Sequence, residues 1–394
     1  MNVHYITNEP CFNTTAYPTC RAWSRDSRYI FVESDRARPD GTKKPVERQL
    51  LKIDAQTGET AHLATLELED TKPYGAGHIR CSTQFHFDYA PEANVLVYYD
   101  MTGHNLYLVD ADTGKSARIL HEPEGTIGDP PGITPDGKRV VYYVIYPSIA
   151  NRFLSGRTSV VFYLDVDPEK MQALGEPKVV TAYAGRVSDK ALKDRFPGGI
   201  IVNHCQVNPK DPEHFCFAHE FGGRPPEASL TYTRTWENRG GIDRPVYRSR
   251  AGEWETHELI GPLGKSLYFV QNWGISRVDF ADKIKHAIYD NKEGLNPCHI
   301  TVSPDEKWIA ADMWDHLDKP DENGCFRSGI LLIEAATGKS KVLCRINRGQ
   351  SHPLHPHPNF SPDGAKVAFT VAEGTNRGQV AYVDISDVIK NWGK

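Results

Sequence analysis

Short runs of β-branched and aromatic residues recur along the whole chain, and polar turn residues separate them. The clearest separators are Ser-Pro-Asp and Thr-Pro-Asp, in which proline and the residues after it favour a type I turn between two strands. Each such phrase therefore predicts a hairpin. Seven copies, some of them degenerate, occupy residues 23–31, 88–98, 133–142, 207–217, 261–269, 302–310 and 360–369.

A second phrase follows several of these copies: a β-prone run that ends in an acidic residue, and then Thr-Gly, as in residues 51–58, 106–114 and 331–338. Two hairpins make four antiparallel strands, and units of roughly 40–60 residues match the blades of a propeller. The seven copies therefore predict an all-β fold, a seven-bladed β-propeller of four-stranded antiparallel blades, in a single domain over residues 1–394. A β-sandwich with repeated turns is the alternative, but it does not explain phrases along the full length.

The ends of the chain are expected to meet. The last two strands would pair with N-terminal sequence and close the ring, because closure removes the exposed edges of an open sheet. Short helices are predicted only at 189–194 and 386–391, and the charged segment 35–46 is predicted to be a long hairpin tip. The 32 glycines and 27 prolines suit many short strands joined by turns.

Charge and hydropathy narrow the range of partners. The net charge of −5 provides no basic surface, so nucleic acid is not an expected partner. No apolar run approaches the ~18 residues needed to span a membrane. The N-terminus lacks a basic region followed by an apolar core, and the eight cysteines form no Cys-x-x-Cys pair. We therefore predict reduced thiols and a cytoplasmic location.

A histidine-rich stretch stands out at 350–358. It holds His352, His355 and His357 between prolines, which stiffen the segment. In an extended segment His355 and His357 project to the same side. Several imidazoles presented by one rigid segment suit a divalent metal site, whereas the alternative is a proline-rich loop with surface histidines.

The repeat register brings in histidines from other copies. His204, His299 and His357 each lie five positions before the proline of their own turn. This shared spacing predicts equivalent positions on the inner strands of their blades, where residues distant in sequence converge around the central channel. His299 thereby becomes the expected fourth ligand beside the three histidines of 350–358.

Three segments give the chain a resemblance to a known family. They are the Cys-His segment at 298–299, the block 355–364, and His219-Glu220 followed by the Arg-Thr-Trp phrase at 234–236. They resemble the oligogalacturonate lyases, most specifically between residues 204 and 364. The resemblance implies a seven-bladed propeller enzyme that cleaves uronic-acid oligosaccharides by β-elimination and uses a bound divalent cation, usually manganese.

The resemblance assigns metal ligands residue by residue. His299, His355 and His357 match the metal histidines of the family. Where the family has a glutamine ligand, this chain has His352, while Gln350 lies two residues earlier and is the alternative ligand if the loop shifts. A site of four imidazoles favours Mn²⁺, Zn²⁺ or a similar transition metal over Mg²⁺ or Ca²⁺.

The resemblance also implies roles in the reaction. Arg234 matches an arginine that would clamp the substrate carboxylate, and His257, in Thr-His-Glu, matches the general base. His204, His219 and Trp236 are further candidates for substrate binding. Each has a plain alternative: Arg234 as a brace for its loop, His257 as an exposed turn residue, and the other three as packing residues.

The leading hypothesis is a metal-dependent lyase acting on uronic-acid-containing oligosaccharides. One alternative is a metal-dependent hydrolase on the same scaffold. Another is a propeller that binds sugars or other partners and keeps a vestigial metal site, because the fold alone does not determine the function. No Gly-x-Ser-x-Gly sequence occurs, which argues against a serine hydrolase.

Overall fold

The chain is arranged as a seven-bladed β-propeller in a computed structural model that describes residues 1–42, 47–67, 86–146, 158–184, 201–220, 233–250, 252–314 and 318–393. Each blade is an antiparallel sheet of four strands, with a fifth strand in blade 3. The predicted fold class is therefore confirmed. The predicted helix at 189–194 and the end of the predicted hairpin tip, 43–46, lie outside the described residues.

The first four blades follow one another along the chain. Blade 1 consists of β2 (Asn13–Thr14), β3 (Tyr29–Ser34), β4 (Arg48–Asp54) and β5 (Thr60–Leu66). Blade 2 consists of β6 (Phe87–Ala90), β7 (Val95–Tyr99), β8 (Asn105–Asp110) and β9 (Ser116–His121). Blade 3 consists of β10 (Thr126–Ile133), β11 (Arg139–Tyr146), β12 (Thr158–Asp167), β13 (Gln172–Ala173) and β14 (Lys178–Ala184), of which the last two both pair with β12. Blade 4 consists of β15 (Ile201–Asn208), β16 (Asp211–Glu220), β17 (Thr235–Arg239) and β18 (Ile242–Pro245).

The last three blades complete the ring. Blade 5 consists of β19 (Glu255–Ile260), β20 (Ser266–Gln271), β21 (Gly274–Asp279) and β22 (Lys285–Tyr289). Blade 6 consists of β23 (Pro297–Val302), β24 (Trp308–Met313), β25 (Phe326–Glu334) and β26 (Ser340–Arg348). Blade 7 consists of β27 (Asn359–Phe360), β28 (Lys366–Gly374), β29 (Arg377–Asp384) and, from the other end of the chain, β1 (His4–Tyr5). The helix α1 (Ser386–Lys390) follows β29, as predicted.

The repeated phrases lie where the sequence predicts them, between the first and second strands of the blades. In blade 6 the carbonyl of Ser303 accepts a hydrogen bond from the amide of Glu306 at 2.8 Å, which closes the turn. The Ser303 hydroxyl donates to Asp305 at 2.7 Å and accepts from the amide of Trp308 at 2.9 Å. These bonds explain why a hydroxyl residue and an aspartate recur in the phrase.

Ring closure joins the N-terminal segment to blade 7, as predicted. His4 and Tyr5 of β1 pair with Tyr382 and Ala381 of β29. Further along, the buried side chain of Gln379 accepts a hydrogen bond from Thr7 at 2.7 Å and donates one to the carbonyl of Glu9 at 2.8 Å. The N-terminal segment therefore completes blade 7 before the chain enters β2 of blade 1.

The hydrophobic core lies between neighbouring blades. Because each blade packs on another at both faces, its central strands are buried on both sides, and all five residues of β7 and all six of β24 are buried. The buried hydrophobic clusters accordingly combine side chains from adjacent blades, for example blades 2 and 3, blades 3 and 4, and blades 5 and 6. Within the described residues no helix combines the length and the apolar character needed to cross a membrane.

Candidate metal centre

Three inner strands carry a histidine at a local break in strand pairing. In blades 4, 5 and 6, two residues of the first strand lie opposite a single residue of the second strand. These breaks in pairing contain His204, His257 and His299. Such a β-bulge re-aims side chains and is common beside functional sites. His204, His257 and His357 also adopt positive φ angles of 49°, 54° and 46°, which are uncommon for residues with a side chain. The backbone is thus shaped to turn these imidazoles toward one place.

Four histidines meet there. His299, His352, His355 and His357 each offer one ring nitrogen, and the four nitrogens lie within 4.8 Å of one another. The ring centroids of His299 and His357 are 4.2 Å apart, as are those of His352 and His355. The structure therefore brings together all four residues that the sequence suggested as metal ligands.

Gln350, the alternative ligand, is an exposed residue. Its backbone carbonyl faces the Nε2 atom of His355 at 3.5 Å. His352, not the Gln350 side chain, is the residue that stands beside the other three histidines. The alternative in which the loop shifts to use Gln350 is not the arrangement of this structure.

A carboxylate fixes the orientation of His299. Asp312 accepts hydrogen bonds from the backbone amide of His299 at 2.7 Å and from its Nδ1 at 2.8 Å. With the proton on Nδ1, the lone pair is on Nε2, which is buried and has no hydrogen-bond partner in the described parts of the chain. A carboxylate behind a histidine in this way is the usual support of a metal ligand.

The other three histidines are held neutral. Burial first, and then the neighbouring histidines, lower the pKa of His352, His355 and His357 well below the usual value. The buried Nε2 of His299, which lacks a hydrogen-bond partner within the described residues, adds a cost of about 1–3 kcal/mol that a bound ion would remove. Neutral imidazoles with buried lone pairs are the ligands that a divalent transition metal prefers, and the residues fit such an ion.

His257 lies beside this cluster. Its ring centroid is 4.1 Å from that of His299, and its Nδ1 is 3.8 Å from the Sγ of Cys298. Burial, followed by the nearby His299, lowers the pKa of His257 well below the usual value. The residue predicted as the general base is therefore a neutral imidazole that contacts a predicted metal ligand.

Arg234 is enclosed by two carboxylates. Its Nε donates to Glu258 at 2.9 Å, its Nη2 contacts Glu220 at 2.7 Å, and the residue is buried. Burial alone would raise the pKa of Glu220, but the charge of Arg234 and its hydrogen bond lower it to about 2. His204 lies between the same two carboxylates, at 3.7 Å from Glu258 and 3.8 Å from Glu220. Arg234 is thus part of a charged network next to His257 and does not stand as an open clamp.

His219 and Trp236 form an aromatic stack in blade 4. Their ring centroids are 4.9 Å apart, and Tyr183 covers the histidine at 4.5 Å. Burial lowers the pKa of His219 to about 4. The indole of Trp236 donates to the carbonyl of Thr233 at 2.9 Å. These contacts are those of packing residues, and substrate binding by either residue stays a prediction.

The structure adds residues to the predicted site. Tyr17, on the loop after β2, is buried and places its ring 5.4–6.0 Å from those of His204, His299 and His357. Neither Tyr17 nor the supporting Asp312 has a sequence signal of its own. The sequence does contain a signal for His257. This residue lies five positions before Pro262, and His204, His299 and His357 lie at the same distance from the prolines of their own turns.

Comparisons with known proteins agree with this geometry. The chain is 25% identical to the oligogalacturonate lyase of Dickeya dadantii over 184 residues, which make up 43% of this chain and 46% of that protein. The oligogalacturonide lyase of Pectobacterium atrosepticum matches to the same extent. The chain thus spans about half the length of these curated relatives. No protein-family model matches.

Solved structures extend the likeness to the full chain. The crystal structure of the oligogalacturonate lyase of Vibrio parahaemolyticus aligns with a TM-score of 0.71 at 17% identity, over 98% of this chain and 94% of that one. An oligogalacturonate lyase in complex with manganese aligns with a TM-score of 0.73 at 18% identity, over 99% and 94%. The resemblance to the oligogalacturonate lyases is thereby confirmed, in fold along the whole chain and in sequence over part of it.

Proposed function

We propose that this protein is a metal-dependent lyase that cleaves uronic-acid-containing oligosaccharides by β-elimination. The observation that carries the proposal is a neutral histidine, His257, in contact with a cluster of four histidines whose ring nitrogens converge. The first provides a base and the second provides a place for a divalent cation, which are the two requirements for removing a weakly acidic proton next to a carboxylate.

The metal would be held by His299, His352, His355 and His357. A divalent cation there supplies Lewis-acid stabilisation of the negative charge that develops on the substrate carboxylate. Mn²⁺ is our first choice, because one of the similar structures is a manganese complex, and Zn²⁺ or another transition metal also suits four imidazoles. The expected partner is a uronic-acid oligosaccharide, as for the oligogalacturonate lyases to which the chain is similar.

His257 is the proposed base. Its ring takes the proton from the carbon next to the carboxylate, and the electrons of that C–H bond form a carbon–carbon double bond. The glycosidic oxygen on the neighbouring carbon leaves with its bonding pair and is then protonated. The low pKa of His257, which burial and the nearby histidines cause, keeps the ring ready to accept the proton at neutral pH.

Arg234 acts through its network. Its positive charge is among the causes that keep His257 neutral, and Glu258, which it binds at 2.9 Å, directly follows His257 in the bulge of blade 5. Arg234 therefore positions the strand that carries the base. His204 borders the same carboxylates and is a candidate for contact with substrate.

Elimination has a product that identifies it. We expect the protein loaded with Mn²⁺ to produce ultraviolet-absorbing unsaturated uronates from oligomers of galacturonate, glucuronate or rhamnosyl-glucuronate. A His257→Gln variant should keep the metal and lose the product. New reducing ends without absorbance would favour the hydrolase, and tight binding of oligomers without cleavage would favour the sugar-binding alternative. Either result excludes the lyase.

The cytoplasm remains our proposed location. Six cysteines within the described residues are buried free thiols, namely Cys20, Cys205, Cys216, Cys298, Cys325 and Cys344. Such a set is usual in a reducing compartment. Fractionation of the source cells tests this, and recovery of the protein outside the cytoplasm would contradict it.

A further inference from the structure

We propose that His257, Cys298 and His299 form a second metal site, selective for thiophilic divalent ions such as Zn²⁺ and Cd²⁺, which overlaps the four-histidine cluster through His299. Each of the three residues offers one ligand atom, and these atoms lie within 4.8 Å of one another. Cys298 and His299 are buried, at 4% and 1% exposure, and His257 is half-buried.

The distances suit tetrahedral coordination. The Sγ of Cys298 is 3.8 Å from the Nδ1 of His257. Zinc bonds of about 2.3 Å to sulfur and about 2.0–2.1 Å to nitrogen separate the two ligand atoms by about 3.6 Å at a tetrahedral angle. His299 contributes a second, independent observation, because its buried Nε2 has no hydrogen-bond partner within the described residues while Asp312 holds its Nδ1.

The bulge in blade 6 makes this ligand set possible. In a regular strand, consecutive side chains point to opposite faces of the sheet. Cys298 and His299 are consecutive, but both lie in the break where two residues oppose one of β24. The break cancels the alternation and lets a thiol and an imidazole next to each other in sequence reach the same ion.

The thiol of Cys298 determines which divalent ions the second site prefers. A thiol binds a dication as the thiolate, so one proton is released for each thiolate–metal bond that forms. Thiolate prefers Zn²⁺ and Cd²⁺ to the harder Mn²⁺, so this site separates thiophilic ions from those that carbonyl and carboxylate oxygens prefer.

An ion bound at the second site would block the proposed elimination reaction. An ion at this site takes the lone pair of His257, the proposed base, and the Nε2 of His299, a proposed ligand of the catalytic metal. Cd²⁺, and Zn²⁺ when it binds here and not in the four-histidine cluster, are therefore expected to inhibit the Mn²⁺-loaded protein. This consequence rests on the proposed function, whereas the site itself does not.

Titration of the metal-free full-length protein with Co²⁺ and Cd²⁺, without substrate, tests the site. Thiolate ligation produces a sulfur-to-metal charge-transfer absorption that four imidazoles do not. We expect the band in the unaltered protein and in Cys216→Ser, a control that removes another buried thiol. We expect its loss in Cys298→Ser, with one fewer proton released on Cd²⁺ binding.

A second variant covers the case in which Cys298→Ser does not fold. His257→Gln should keep the thiol but weaken Cd²⁺ binding at least tenfold in the same titration. The absence of the band from the unaltered protein, or its persistence in Cys298→Ser, would overturn the proposal. Because the titration contains no substrate, its result does not depend on the lyase assay. A protein that is an active lyase but shows no charge-transfer band would contradict the second metal site and leave the proposed function standing.

Discussion

The carboxylate of Asp312 holds His299 at two points, the backbone amide at 2.7 Å and the ring Nδ1 at 2.8 Å. Asp312 stands opposite the bulge that contains His299, so the same residue shapes the strand and sets the tautomer of the ring. A metal ligand held in this way is oriented before the ion arrives, which reduces the free energy needed to order it on binding.

Asp312→Asn should weaken binding of Mn²⁺ by about 10–100-fold, because an amide is a poorer acceptor and no longer enforces the tautomer. Competition with a chelator of known affinity measures the change. Asp305→Asn, in an exposed turn of the same blade, is the matched control and should bind Mn²⁺ normally. Equal affinities in the two variants would mean that Asp312 supports only the strand.

His352→Ala should lose bound metal, and Gln350→Ala should retain it. The imidazole of His352 stands within the four-histidine cluster, whereas Gln350 is exposed and faces the cluster through its carbonyl, which alanine keeps. Elemental analysis after dialysis reads the metal content directly. Loss of metal from the Gln350 variant alone would reverse the assignment of the fourth ligand.

Removal of the metal should lower the melting temperature. An ion that binds only the folded state stabilises it by about 2.7 kcal/mol at 100 times its dissociation constant. A chelator should therefore lower the melting temperature of the unaltered protein, and Mn²⁺ should restore it. His355→Ala should show no response to either addition, and a full response from this variant would contradict the site.

Glu255→Gln should make the free energy of unfolding less dependent on pH. Burial, only partly offset by the hydroxyl of Ser249 at 2.5 Å, raises the pKa of Glu255 from 4.5 to about 8. Between those values the folded protein binds more protons than the unfolded chain, so stability falls as pH rises through this range, by a few kcal/mol at most. The variant removes that fall and should be more stable than the unaltered protein at pH 8.

Glu253→Gln is the control for this experiment, because hydrogen bonds and the charge of Lys285 outweigh burial and lower the pKa of Glu253. Its contribution is present at neutral pH and is lost as pH falls, which is the opposite dependence. Urea unfolding at pH 5 and pH 8 compares the two variants. A parallel response of both to pH would show that Glu255 ionises normally in the fold.

Gln379→Ala should lower the free energy of unfolding by about 1–3 kcal/mol, because it leaves Thr7 and the carbonyl of Glu9 without their buried partner. The midpoint of urea unfolding measures the effect. Arg377→Ala, whose side chain forms an exposed ion pair with Glu373, should change it by less than about 1 kcal/mol. Equal effects would argue that the N-terminal segment does not hold blade 7.

The blades were predictable from the sequence because their turns depend on local chemistry. Ser303 and Asp305 form the same bonds wherever the phrase occurs, so each copy identifies a hairpin independently of the rest of the fold. The spacing of five residues before the turn proline likewise located His204, His299 and His357.

The remaining parts of the site depend on contacts between distant segments. Asp312 supports His299 across a strand pair, and the two carboxylates around Arg234 come from strands of different blades. Tyr17 follows β2 of blade 1, yet its ring contacts histidines that belong to distant parts of the chain. No local pattern in the sequence encodes these arrangements, since each depends on how the ring closes.

Closure of the ring also makes the histidine cluster depend on the completion of the fold. His352, His355 and His357 directly precede β27, the first strand of blade 7, and that blade is completed by β1 from the N-terminal segment. His299 lies in β23 of blade 6. A partly folded chain whose seventh blade has not closed therefore presents His299 without its three neighbours, so assembly of the four imidazoles reports that the ring is complete.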